Sequence, residues 1–241
     1  MSHPWDEMIR NLRGGLIVSC QAAPSSPTDS PDILAAFAKS AELAGAVGIR
    51  ANYARNIAAI RGVTSLPIIG IIKRETPGFE VYITPEFSDA AEVAEAGANI
   101  IALDATDRPR PGPLGFREVV TRIHEELRLP VMADVSTFEE GVSAAESDAD
   151  VIATTMSGYT SYTANKLAKG PDIDLVRRLA AALSKPIICE GRIHTPDEAH
   201  EALDAGAYAV VVGTAITAPT WITEQYVKAV GKTPLMKSPS L

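Results

Sequence analysis

The stretch LPIIGIIKRE, residues 66–75, carries an apolar run straight into a charge. Ile68 to Ile72 read as a strand buried on both faces, so Lys73 places an ammonium group at its C-terminal end, with Arg74 behind it. A lysine there is either a solvated strand end or a reagent. Further along, the run PIICE ends in the same way on a carboxyl group, Glu190. A lysine free base and a carboxylic acid facing each other across one mouth can work on opposite faces of a single carbon. Lowering a lysine pKa from ~10.4 toward ~7.5 costs roughly 4 kcal/mol; burial at the end of an apolar strand and a positive neighbour, Arg50 or Arg74, push in that direction. The same lysine could instead form a Schiff base with a carbonyl substrate. Spacing alone leaves both open.

Such a pair needs elements that bring it together. Apolar, β-branched runs recur at 16–20, 46–50, 67–73, 99–104, 130–134, 150–154, 186–190 and 207–213. Between them lie stretches of helical period such as PDILAAFAKSAELAGA, SDAAEVAEAGA, TFEEGVSAAESDA and TPDEAHEALDAGA. Several open on Ser, Thr or Asp with acidic residues close behind, and several end at a glycine: Gly45, Gly97 or Gly206. Strict β-α alternation demands a parallel sheet. Eight such units in a chain of this length predict a closed (β/α)8 TIM barrel, one domain over residues 1–241, with a short helix from the first dozen residues across its bottom. A doubly wound open sheet would bring a G-x-G-x-x-G turn after a strand, and none follows one here.

In this fold reacting groups sit at the C-terminal ends of strands. In chain order those ends read Gln21, Arg50, Lys73, Asp104 with Thr106, Asp134, Thr154 with Thr155, and Glu190, while the eighth run ends at Gly213. One polar strand end is unremarkable; so many converging on one mouth predict a polar pocket. Asp104 and Thr106 also suit a loop-capping role. Gly191 and Gly213, directly after runs seven and eight, would let backbone N–H groups approach an anion, and a short helix starting near Thr214 would aim its positive end there. Barrels commonly hold a phosphate at this place. The plainer use of both glycines is a tight turn.

Composition narrows the function. A net charge of −8 argues against a general nucleic-acid or anionic-membrane surface. Cys20 and Cys189, the only two cysteines, lack C-x-x-C spacing and suit reduced thiols. The N-terminus has no apolar signal region and no run approaches the ~18 residues of a membrane span, so a cytoplasmic protein is expected. The histidines, His3, His124, His194 and His200, form no metal pattern; His194 suits a loop or cap. Tyr159 and Tyr162 in SGYTSYT read as walls or lid of the mouth rather than a base-stacking platform.

Taken in order, GLIVSCQA, AVGIRAN, PIIGIIKR, VYITP, NIIALDAT, MADVST, SGYTSYT, EGRIHTPDEA and AYAVVVGTAIT resemble the N-acetylmannosamine-6-phosphate 2-epimerases of bacterial sialic-acid catabolism, across residues 14–222. The resemblance implies a (β/α)8 barrel without metal or organic cofactor that converts N-acetylmannosamine 6-phosphate to N-acetylglucosamine 6-phosphate. It implies that Lys73 is the catalytic base and Glu190 its acid partner. Gln21, Arg50 and Asp134 would bind and orient the sugar, and Gly191, Arg192, Gly213 and Thr214 would hold the phosphate. Thr214 stands where the family often has Gly or Ser, and Glu86 where many members have Thr or a small residue. The expected partners are the amino-sugar phosphate and a second copy of the chain in a homodimer, with neither nucleic acid nor membrane. The rival readings are a phosphate-binding barrel lyase using Lys73 as a Schiff base, and a catalytically silent sugar-phosphate sensor.

Overall fold

Every one of the eight apolar runs becomes a strand, and all of them are short. The computed structural model, which describes residues 3–24, 26–167 and 169–233, places them as β1 (Leu16–Cys20), β2 (Gly48–Asn52), β3 (Ile68–Ile71), β4 (Ile100–Asp104), β5 (Val131–Asp134), β6 (Val151–Ala153), β7 (Ile187–Glu190) and β8 (Ala209–Val212). Neighbours pair in parallel in chain order, and β8 returns to β1 through Leu16↔Val210, Ile17↔Val211 and Val18↔Val212. The sheet is therefore a closed (β/α)8 barrel with no free edge.

Between the strands lie α1 (Asp6–Asn11), α2 (Pro31–Leu43), α3 (Ala54–Arg61), α4 (Phe87–Glu95), α5 (Phe116–Arg122), α6 (Phe138–Glu146), α7 (Ile173–Ala182) and α8 (Pro196–Asp204), then α9 (Thr214–Thr217) and α10 (Pro219–Ala229). The helix ends follow the sequence signals. α6 and α8 open on capping boxes, Thr137 with Glu140 and Thr195 with Glu198. α2, α4 and α8 close alike: the N–H groups of Ala46, Ala98 and Ala207 reach back to the carbonyls of Ala41, Val93 and Ala202 across left-handed Gly45, Gly97 and Gly206. α1 does lie across the bottom, its Leu12 and Ile9 packed beneath Ile17 and Ile100, although Met1 and Ser2 of the expected segment fall outside the described residues.

The strand period of two divides the core cleanly. Ile17, Ile69, Ile71, Ile100, Ala102, Met132, Val151, Ala153, Ile188, Ala209 and Val211 fill the inside of the barrel. Their neighbours in sequence, among them Val18, Ile49, Ile68, Ile101, Val131, Ile152, Ile187 and Val210, face outward into the helices. This alternation positions the site. The next inward residue above Ile71 is Lys73, above Met132 is Asp134, above Ile188 is Glu190 and above Val211 is Gly213.

Most strands fall within a residue or two of expectation, the eighth as Ala209–Val212 rather than 207–213, and two of the shifts bear on the site. The second run, expected at 46–50, forms a strand two residues later, because the Ala46 N–H is taken at 2.9 Å by the closing turn of α2. Arg50 is thus inside β2 rather than at its end. The third run, expected to reach 73, stops at Ile71, and Lys73 pairs instead in an isolated antiparallel bridge with Ile83.

Candidate active site

Arg50 is the hub of the barrel mouth. As an inward residue of β2 it is 1% exposed, a position where a guanidinium must be paired. Its Nη2 donates to Asp134 Oδ2 at 2.5 Å, and its Nη1 donates to Asp134 Oδ1 at 3.0 Å and to Glu190 Oε2 at 2.6 Å. Thr155, the next inward residue above Ala153, donates its hydroxyl to Asp134 Oδ1 at 2.7 Å and to Glu190 Oε2 at 3.1 Å. β2, β5, β6 and β7 thus meet in one network of one cation and two carboxyl groups. Asp134, 0% exposed, lies below the cavity surface with both oxygens committed to Arg50.

The electrostatics separate the members. Glu190 is pushed up to about 7, first by burial and then by the Asp134 charge, against the opposing pull of Arg50. Lys73 is lowered from 10.5 to about 8, chiefly by burial and next by the Arg50 cation, with Glu190 and Asp134 pulling the other way. Among the described residues no ion pair or hydrogen bond engages Lys73 Nζ. Arg74, the other candidate neighbour, turns to the opposite face and pairs with Asp89 and Glu86. The cation that depresses Lys73 is Arg50.

A cavity joins Lys73, Arg50 and Glu190 to Ser19, Gln21, Thr155, Tyr159, Gly191, Arg192, Gly213 and Thr214. Of the nine residues expected to form the site, eight line this cavity and Asp134 sits directly beneath it. Gln21 donates to Ser19 Oγ at 2.8 Å, while its buried Oε1 and the Nε of Arg50 have no partner among the described residues. Buried polar atoms are rarely left so, and both belong to residues that line the cavity. Gly213 passes so near β1 that a Cβ would stand 3.2 Å from Ser19 Cβ, and α9 starts at once with Thr214. Gly191 turns the chain at φ +106°. Arg192 follows it, donating from Nε to Gly170 O at 2.6 Å and from Nη1 to Ser157 O, so its guanidinium braces the loop after β6 beside the Tyr159 ring.

The remaining strand-end residues are structural. Asp104 accepts from Thr106 N–H and Oγ1 at 3.1 and 2.7 Å and pairs with Arg108 at 2.7 Å, a capped loop outside the cavity. Glu86 begins α4, its N–H bound to Asp89 Oδ2 at 2.9 Å. Tyr162 hydrogen-bonds Glu140 away from the cavity, whereas Tyr159 is one of its walls. His194 caps α8 through its N–H, 2.6 Å from Glu198 Oε2, but its ring also lines the cavity and stacks on Trp221 with centroids 4.8 Å apart. Sequence reasoning missed Tyr82, another wall, whose hydroxyl is pushed up to about 12 by burial and by the Asp104 and Asp134 charges. It lies in the loop after β3, where no periodicity marks it.

Fold and site together define a (β/α)8-barrel enzyme with a charged, partly unsatisfied cavity at the C-terminal mouth. Residues 34–232 match the family described as "Putative N-acetylmannosamine-6-phosphate epimerase". A protein of that 2-epimerase name from Caldanaerobacter subterraneus subsp. tengcongensis is 50% identical over 222 residues, covering 92% of this chain and 93% of its own. Another from Thermosynechococcus vestitus is 49% identical over 222 residues, covering 92% and 96%. The solved N-acetylmannosamine-6-phosphate 2-epimerase from Clostridium perfringens superimposes with a TM-score of 0.89 at 42% identity over 95% of this chain and 99% of that one. The thiamine phosphate pyrophosphorylase of Pyrococcus furiosus shares the fold alone, with a TM-score of 0.59 at 16% identity over 88% of this chain and 91% of that one. The chain belongs to the N-acetylmannosamine-6-phosphate epimerase family.

Proposed function

We propose that this protein interconverts N-acetylmannosamine 6-phosphate and N-acetylglucosamine 6-phosphate, with Lys73 as the base at C2. Family membership supports the reaction; the observation that carries the residue assignment is a half-buried lysine that lines the cavity without an ion pair and is lowered to about 8, in one cavity with a carboxyl group raised to about 7. In the open-chain sugar the C2 proton is acidified by the C1 aldehyde. Lys73 takes that proton, the C–H electron pair moves toward C1 and the negative charge collects on the C1 oxygen. Arg50, fixed by Asp134, supplies a preorganised positive charge for it. Glu190 returns a proton to the opposite face, which inverts the carbon. Asp134 orients the sugar indirectly, through Arg50 and Thr155, and Gln21, held by Ser19, lines the cavity on the sugar side.

Phosphate binds at the turns after β7 and β8, between Gly191 with Arg192 and Gly213 with Thr214, the Arg192 charge adding to the backbone N–H groups. Held there, away from C2, it supplies binding energy that fixes the reacting carbon. Thr214 adds a hydroxyl donor. Exposed apolar side chains near the C-terminal end, Ile216 on α9 and Tyr226 on α10, support a homodimer, which light scattering would check. No helix among the described residues is long and apolar enough to cross a membrane, which fits the cytoplasmic setting proposed here.

Proton transfer makes a labelling demand. In D₂O the epimerised product carries deuterium at C2, because the proton that Glu190 returns to the opposite face comes from a carboxyl group that exchanges with water, while the proton Lys73 removed stays on the amine or is lost to solvent. NMR showing complete epimerisation with C2 still protonated would rule out transfer through either residue. Reduction with borohydride in the presence of substrate separates this route from a Schiff base, which alone leaves sugar bound to Lys73.

A further inference from the structure

Lys73 stands two residues past the end of β3, where the ladder to β4 has already stopped. Besides the bridge to Ile83 on the other side, two consecutive residues, the last of β2 and the one after it, bind its backbone groups. Asn52 Oδ1 accepts the Lys73 N–H at 3.0 Å, and the Tyr53 hydroxyl donates to the Lys73 carbonyl at 3.2 Å. The corner that carries them is itself fixed: the Tyr53 N–H donates to Ile71 O at 3.0 Å, and Asn56 Nδ2 donates to Asn52 O at 2.8 Å. Asn52 is 4% exposed, so its amide is committed to this task in a place where solvent cannot replace it.

Tyr53 is the odder choice. It adopts φ +69° and ψ +137°, a backbone conformation that suits glycine. It also occupies the N-cap of α3, where Ser, Thr, Asp, Asn or Gly is usual, and makes no side-chain cap bond. Its ring packs on the edge of the outer core, which a phenylalanine would do as well, so packing does not account for the hydroxyl. Its hydrogen bond to the Lys73 carbonyl does.

We propose that Asn52 and Tyr53 are positioning residues for the reaction, gripping the Lys73 backbone at its N–H and its carbonyl so that the amine is presented at a fixed point in the cavity. The inference rests on the reading of Lys73 as the base. Its physical content is that Nζ rides on four methylenes, and any drift of the Cα is passed on to it. A misplacement of about 1 Å lowers a rate by about 100-fold without touching the affinity for substrate.

Tyr53→Phe removes one hydroxyl and keeps the ring, so it tests the idea even if Asn52→Leu fails to fold. For each variant, kcat and KM are measured with N-acetylmannosamine 6-phosphate. The protonation midpoint of Lys73 is measured separately, by competitive acetylation across pH and mass spectrometry of the peptide containing it. The expected result is a kcat lower by about 10-fold for Tyr53→Phe and about 100-fold for Asn52→Leu, KM within twofold and a displaced Lys73 midpoint. Unchanged kcat with an unchanged midpoint overturns the proposal. So does a fall in kcat with the midpoint unmoved, or with KM raised by the same factor, since the pair would then act on the substrate. A displaced midpoint with unchanged kcat instead overturns the assignment of Lys73 as base, which separates the two failures.

Discussion

The two ends of the barrel use buried charge in opposite ways. At the bottom, Asp150 just before β6 accepts from Trp5 Nε1 at 3.1 Å and from the Val131 N–H at 2.8 Å, and pairs with His124 at 2.8 Å. Burial alone would raise its pKa, but these partners hold it below the ordinary value. The rings of His3, Trp5 and His124 stack around it, and the result locks α1 to the barrel floor. At the top, Arg50 serves two carboxyl groups at once, Glu190 is raised and Lys73 lowered, and two buried polar atoms go without partners. The same chemical vocabulary gives a satisfied clamp below and a perturbed, partly unsatisfied assembly above. Groups perturbed by burial rather than calmed by partners mark the working end.

The largest effect expected from breaking that contrast is at Lys73. Lys73→Met should remove turnover, a fall of at least about 10³-fold, while the protein becomes more stable. The sign follows from the lowered pKa: the folded state disfavours the ammonium, so the penalty is fully present below about 8 and relieved as pH rises toward the unfolded value of 10.5. At pH 7 the variant should gain about 3 kcal/mol, shrinking above pH 8. Denaturant melts at pH 7 and pH 10 check it; a variant that kept a tenth of wild-type kcat would return Lys73 to a solvated strand end.

Second in size is the Arg50–Asp134 pair. Asp134→Ala leaves a buried guanidinium with Glu190 as its remaining carboxylate partner, and removing one member of such a pair costs about 3–5 kcal/mol. Thermal unfolding should drop by about 6–20 °C. kcat should fall as well, because Arg50 loses the group that aims it. A melting temperature within 2–3 °C of wild type would mean that the pair is solvated in a way its 1% and 0% exposures deny.

Much of this end was legible in the sequence because the strand period writes it there. Ile69, Ile71 and Lys73 alternate inward, as do Met132 with Asp134 and Ile188 with Glu190, so a reader of strand ends meets the site. The same period rules out Arg74 as a neighbour of the cavity, since adjacent strand residues face opposite ways. What stayed hidden depends on register and on loops. Arg50 lies mid-strand because Ala46 closes α2, a competition between two elements that apolar patterning does not resolve. Thr155 was visible as a polar strand end, but its bridging of Asp134 and Glu190 arises only when β5, β6 and β7 lie side by side. Tyr82 reaches the cavity because the loop after β3 folds back, the Arg74 N–H donating to Tyr82 O, and no period announces that.

A pH profile sharpens the comparison at intermediate cost. If Lys73 alone set the rate, kcat/KM would climb through about 8 and stay level above it, as the free amine accumulates. If Glu190 works with it, the active form carries one proton between the two groups. Activity then rises through about 7 and falls through about 8, whichever of the two holds that proton. A bell is expected, and Glu190→Gln should convert it to a different shape rather than simply scale it down. An unchanged bell in that variant would exclude Glu190 from the titration.

The smallest effect belongs to the quiet end. Asp150→Asn keeps the volume of the side chain but replaces one acceptor oxygen with a donor that must face Trp5, His124 or the Val131 N–H. Hydrogen bonds to a charged group are each worth about 1.5–3 kcal/mol; with the side chain 12% exposed and one oxygen retained, a loss of about 1–2 kcal/mol is expected. Because the native pKa lies below the ordinary 3.8, the wild-type advantage is present above that value and vanishes as the pH falls through the native one. Melts at pH 7 and pH 3 should therefore show a gap of a few degrees that closes in acid. kcat and KM at pH 7 should stay within twofold of wild type, since the whole length of the barrel separates the clamp from Lys73. A large loss of kcat with an intact fold would mean that the floor under Ile17 and Ile100 transmits strain to the mouth, and that the two ends are one coupled device rather than a clamp and a reactor.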